Sequence, residues 1–106
     1  MEVLNTYIYE VKKGTKPLAL VTLENEKRDK AIEKIIKSGF DYFIENVGIK
    51  SNIFFGEKTF IDVLKKIFQK NLNALSPEKD FMLGVLLGYG LEQQCERFLK
   101  FNRQDS

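Results

Sequence analysis

Cys95 is the only thiol in a chain of 106 residues that contains no histidine. A cysteine becomes a nucleophile when a nearby base or cation lowers its pKa. Arg97 is close in sequence but points to another side of a helix, and Cys95 falls on an apolar stripe. Packing is therefore its expected role, with a reactive thiol as the other reading. The absence of histidine excludes Ser-His and Cys-His nucleophile pairs and histidine metal ligation within one chain. One cysteine makes neither a zinc knuckle nor an iron–sulfur motif. Glu45, Glu57 and Asp62 have the chemistry of acid and base, yet each stands at an element edge, where solvated carboxylates are the rule. Lys12-Lys13-Gly14-Thr15-Lys16 places three lysines on a turn that a phosphate can approach. It lacks the second glycine and the Gly-Lys-Ser/Thr ending of a P-loop, so a solvated turn is expected. Tyr89 offers a phenol to a ligand or, more simply, to a structural hydrogen bond. No catalytic or metal-binding residue is assigned on this basis, and no cofactor is expected.

The elements that position these residues are bounded by composition. At 43% hydrophobic and 30% charged content, the chain reads as one domain, 1–106, with a sheet and two helices over 1–71 and a helical pair over 76–101. Seventeen Lys plus Arg against fifteen Asp plus Glu give a net charge of +2. The signs are interleaved, as in Glu26, Asp29 and Glu33 among Lys27, Arg28, Lys30 and Lys34, so no nucleic-acid partner is expected. The single cysteine fits a reducing compartment, and MEVLNTYIYE has no basic region leading into an apolar run. A cytoplasmic protein is the expectation.

Val3 to Val11 is rich in β-branched and aromatic residues and reads as a strand. Pro17 opens a second strand, Leu18 to Leu23, apolar on both faces and hence expected at the centre of the sheet. Asn25 is the expected N-cap of a helix whose Ala31, Ile32, Ile35 and Ile36 form one stripe, stopped by Ser38-Gly39 with Phe40 folding back. Asp41 to Val47 and Ser51 to Phe55 flank a turn at Gly48. A helix then carries Phe60, Ile61, Leu64, Ile67 and Phe68 at helical spacing and frays at Asn71 and Asn73. From the second strand onward this is most of a split βαβ unit. The fold class expected is α+β. It is a permuted ferredoxin-like sandwich: a four-stranded, mainly antiparallel sheet, two helices on one face, and a C-terminal helical pair. The first strand takes the place beside the second, and Phe43, Ile53 and Phe55 are candidates for the other face.

The C-terminal quarter carries the strongest pattern. Ser76 is an N-cap with Pro77 at the first helical position and Glu78 and Asp80 in the first turn. Phe81 to Tyr89 has no polar face, a sign of burial, and the run is about half the length that a bilayer needs, so no membrane partner is expected. A domain this small has little room for a fully buried helix unless a second subunit covers one side. Gly84 and Gly88 leave a groove that either admits the sheet or admits a second backbone. The candidate interface is Phe81, Gly84, Leu87, Gly88, Tyr89 and Leu91. The last helix should bury Leu91, Cys95, Phe98 and Leu99 and expose Glu92, Gln93, Glu96, Arg97 and Lys100.

Over IYEVKKG, NVGIKSNIFFG and above all SPEKDFMLGVLLGYGLEQQCERFL, the chain resembles a small bacterial family of about this length and of unknown function. The resemblance covers nearly the whole chain. It implies a compact α+β protein that forms a homodimer, and it assigns no site residues.

Two functions follow as expectations. The first is a homodimeric, non-enzymatic interaction or regulatory module. The second is a redox accessory that works with flavin or with a flavodoxin-like partner through its aromatic residues.

Overall fold

A computed structural model describes residues 2–68 and 76–104. The elements run in the order α1 (Glu2–Lys13), β1 (Leu18–Glu24), α2 (Asn25–Lys37), β2 (Asp41–Val47), β3 (Lys50–Gly56), α3 (Lys58–Ile67), α4 (Pro77–Leu86) and α5 (Leu91–Gln104). The strands form one antiparallel sheet in the order β1-β3-β2. The structure is thus α+β, but the sheet has three strands and not four.

The first element accounts for the difference. Residues 2–13 are helical, because Leu4, Ile8 and Val11 recur at helical spacing and all three are buried, while Val3 and Tyr9 are exposed. Tyrosine, isoleucine and valine favour strands, but that preference is weak beside the burial of one continuous stripe. The place beside β1 that the fourth strand was expected to fill is not occupied by a strand among the described residues. β1 is consequently an edge strand, and β3 is the centre. What survives of the split unit is β1-α2-β2 with β3 inserted between the two parallel strands.

Pairing of Val21 with Ile53 and of Ile44 with Ile53 fixes which residues share a face. Because side chains alternate along a strand, Ala19, Val21, Ile53, Phe55, Tyr42 and Ile44 look one way. They pack with Leu4, Ile8 and Val11 of α1 and Ala31 and Ile35 of α2. Leu18, Leu20, Phe54 and Phe43 look the other way and pack with Ile61 and Leu64 of α3 and Leu83 and Leu87 of the C-terminal segment. Helices cover both faces, which corrects the expected placing of two helices on one. Phe43 lies on the opposite face from Ile53 and Phe55, and the latter two are fully enclosed. The expected open face of these three residues does not exist as a set.

Polar groups tie the β2–β3 turn to the start of α2. Glu24 holds the N-cap position without a side-chain bond, and Asn25, the expected cap, does another job. Its backbone N–H donates to Ile49 O at 2.9 Å and its Nδ2 to Gly48 O at 3.0 Å. The fully buried Ser51 hydroxyl donates to Asn25 Oδ1 at 2.6 Å and sits 3.2 Å from Asn46 Oδ1. Arg28 Nη1 donates to that same Asn46 oxygen at 3.0 Å. Gly48 at φ 62° supplies the left-handed turn.

α2 ends as its sequence implies. Gly39, at φ 85°, donates to Ile36 O and Phe40 donates to Ile35 O, a Schellman stop. Ile36 leaves the expected stripe and is exposed. The expected fraying at Asn71 and Asn73 lies outside the described residues.

Candidate functional site: the C-terminal hairpin

α4 starts where the sequence says a helix should. The Ser76 side chain accepts from Lys79 N–H at 3.2 Å, Pro77 takes the first turn, and Glu78 and Asp80 complement the helix dipole. It ends in a second Schellman stop, with Gly88 at φ 80° donating to Val85 O and Tyr89 to Gly84 O. Those bonds turn the chain so that α5 folds back antiparallel on α4. α5 packs chiefly on that helix.

Three contacts lock the hairpin. Phe81 and Phe98 meet with ring centroids 5.8 Å apart. Arg97 Nε donates to Asp80 Oδ2 at 2.7 Å and Nη2 to Oδ1 at 3.2 Å, a two-point fork. That pairing holds the Arg97 guanidinium above its ordinary pKa. The guanidinium also lies over the Phe101 ring at 5.1 Å. The third contact is Gln94, which is buried and whose carboxamide occupies the space that any side chain at position 84 would need. On the side that faces β1 the hairpin borders an open cleft of about 240 Å³ lined by residues that include Leu20, Leu83, Leu87, Tyr89, Gln94 and Arg97.

Glu92, Gln93, Glu96, Arg97 and Lys100 are exposed as expected, but the apolar side of α5 is not buried as expected. Among the described side chains of α5, Gln94 is the buried one, while Leu91, Cys95 and Leu99, four apart, are all exposed. Phe98 is half-buried. On α4, Met82 and Val85 are also exposed. Both helices therefore leave apolar residues uncovered, and Phe81 and Phe98 meet between them.

The six expected interface residues separate into two groups. Leu87 is enclosed in the core beneath α4, and Gly84 is covered by Gln94, so the groove read from Gly84 and Gly88 is filled at Gly84 by the chain's own α5. Phe81 is half-buried, whereas Gly88, Tyr89 and Leu91 are exposed. Sequence reading missed Gln94, and the only signal for it was a mid-helix glycine one hairpin turn away.

The other candidate groups are engaged separately. Asn52 Nδ2 donates to Glu45 Oε1 at 3.1 Å, and Asn52 Oδ1 accepts from Thr22 at 2.7 Å, a polar row across all three strands. Lys58 and Asp62 form an exposed pair at 2.8 Å; it lowers the Asp62 pKa and raises that of Lys58. Glu57 is exposed at the N-cap of α3. The lysine turn closes α1. Lys16 Nζ lies 3.2 Å from Glu10 Oε2 and 4.8 Å from the Tyr7 ring centroid, and Lys13 Nζ lies 4.9 Å from that of Tyr9. These lysines stand at the negative end of a helix, where a phosphate is disfavoured. No group of three metal-type ligands occurs among the described residues, and none of their helices is long and apolar enough to cross a membrane.

No curated protein matches the chain. A family model described as a protein of unknown function matches residues 2–101, from the first turn of α1 to the end of the apolar stripe of α5. On that span, which takes in both cores and the hairpin, the chain belongs to the DUF2023 family.

Proposed function

We propose that the protein is a homodimeric, non-enzymatic interaction module whose C-terminal hairpin supplies the contact between subunits. One observation supports this reading above the others: α5 buries a glutamine and turns Leu91, Cys95 and Leu99 to the outside. Scattered exposed apolar residues need no explanation, but a stripe repeated over consecutive helical turns, continued by Met82 and Val85 on α4, marks a surface meant to be covered. Of the carboxylates weighed for acid–base chemistry, Glu45 is bound by Asn52 and Asp62 by Lys58.

Concentration-dependent thermal unfolding tests the reading, because association with a second folded copy stabilises the native state by mass action. The expected result is a Tm that climbs steadily as protein concentration is raised about a hundredfold. A Tm that stays constant over that range contradicts it.

A further inference from the structure

We infer that the cleft between β1 and the α4–α5 hairpin binds a small neutral molecule with an apolar body and a carbonyl oxygen, which accepts a hydrogen bond from Gln94. The inference stands apart from the homodimer reading above, because Leu91, Cys95 and Leu99 do not line this cleft.

The carboxamide of Gln94 is the observation that carries it. The residue is only 9% exposed, and its Nε2 donates to no group among the described residues. Buried polar groups are nearly always paired, so a donor left over in such a place calls for an acceptor. Its position shows where that acceptor must come from. Gln94 also borders a wider opening with Gln93, Glu96, Lys100 and Phe101, but no α4 residue lines that one among the described residues. The carboxamide end lies over Gly84, and Gly84 lines the cleft on the β1 side. A spacer between two helices needs no amide, since a methionine fills a similar volume without burying a donor.

The rest of the lining sets the chemistry of the ligand. Leu20, Leu83 and Leu87 supply apolar walls. Asp80 and Arg97, the charged residues of the lining, are bound to each other at two points and cancel. An anion here meets the Asp80 carboxylate, and a cation meets the Arg97 guanidinium, so a neutral molecule fits best. Both Asp80 oxygens already accept from Arg97, whereas Gln94 Nε2 and the Tyr89 hydroxyl donate to nothing among the described residues. The ligand must therefore bring an acceptor, and a carbonyl is the neutral group that does so. At about 240 Å³ the cleft is smaller than the roughly 300–1,000 Å³ of drug-sized sites, which limits the body to one or two fused rings.

The test is a titration of the isotope-labelled full chain followed by NMR, with indanone as the probe. Indane has the same two rings without the carbonyl, and benzoate adds a negative charge. Indanone should shift the backbone signals of Leu20, Leu83 and Leu87 and, most of all, the side-chain NH2 signals of Gln94. Indane should bind about tenfold more weakly, as should indanone to Gln94→Met, because each loses one hydrogen bond. The NH2 signals report on that bond in the unmodified chain, so the test does not depend on the variant folding. Equal binding of indanone and indane, with the Gln94 signals unmoved, overturns the inference and leaves Gln94 as a spacer only. Benzoate bound more tightly than indanone overturns the neutral ligand. No shift of any cleft signal up to the solubility limit of indanone overturns the site, whatever the state of association of the chain.

Discussion

The carboxamide of Gln94 lies directly over the Cα of Gly84, so that a β-carbon at position 84 would fall on the glutamine side chain. This contact sets how closely α4 and α5 approach, and it explains a glycine in the middle of a helix at a cost of about 1 kcal/mol relative to alanine. It also holds α5 in the rotation that sends Leu91, Cys95 and Leu99 outward.

Gly84→Ala should therefore destabilise the protein by about 1–2 kcal/mol despite the gain in helix propensity, because the glutamine must move from a buried place. Gly84→Ala combined with Gln94→Ala should recover most of that loss. Urea unfolding of the two single variants and the double variant measures the coupling. Additive effects would show that the two residues do not share one space.

The helical nature of residues 2–13 has its own signature. Leu4→Ala and Ile8→Ala should each cost about 2–4 kcal/mol, as large-to-small changes in a core do. Val3→Ala and Tyr9→Ala, at exposed positions, should stay within about 0.5 kcal/mol. Chemical denaturation checks both pairs. A large loss at Tyr9 with none at Ile8 would favour a strand with its tyrosines inward.

That element marks the limit of what the sequence made legible. α2, β2, β3, α3 and α4 follow from residues with local causes: the Gly39 stop, the Gly48 turn, the Ser76-Pro77 start and the spacing of Ile61 and Leu64. α1 does not, because its strand-favouring tyrosines alternate with Ile8 in a way that imitates a two-residue period. Misreading it put a strand where β1 has a free edge and made β1 central. The rotation of α5 was hidden for a different reason. An amphipathic pattern says which side is apolar, not whether the chain itself covers that side, and here one glutamine–glycine contact turned it outward.

The clamp between α2 and the β2–β3 turn should behave as a unit. Ser51→Ala leaves Asn25 Oδ1 without its buried donor, and Asn25→Ala removes the bonds to Gly48 and Ser51 together. Each change should cost about 1–3 kcal/mol. The double variant should cost clearly less than the sum, read from denaturation midpoints. Strict additivity would mean that the two side chains act independently.

The Lys58–Asp62 pair predicts a pH response with a definite sign. Its bond and charge hold the Asp62 pKa below the ordinary 3.8, so its contribution is present above that value and is lost as pH falls through the depressed one. Lys58 is raised above 10.5, so its share is present below that value and fades as pH climbs through the raised one. Both groups are exposed, and salt should shrink the effect. Carboxyl NMR titration should show the Asp62 pKa moving upward in Lys58→Met. An unchanged value would mean that the pair does not form in solution.

Sedimentation equilibrium of the unmodified chain bears most directly on the homodimer. With a chain mass of 12.3 kDa, the account predicts a species of twice that mass that dissociates only on dilution, and a single species of 12.3 kDa for Leu99→Glu. A 12.3 kDa species for the unmodified chain at all concentrations would contradict it.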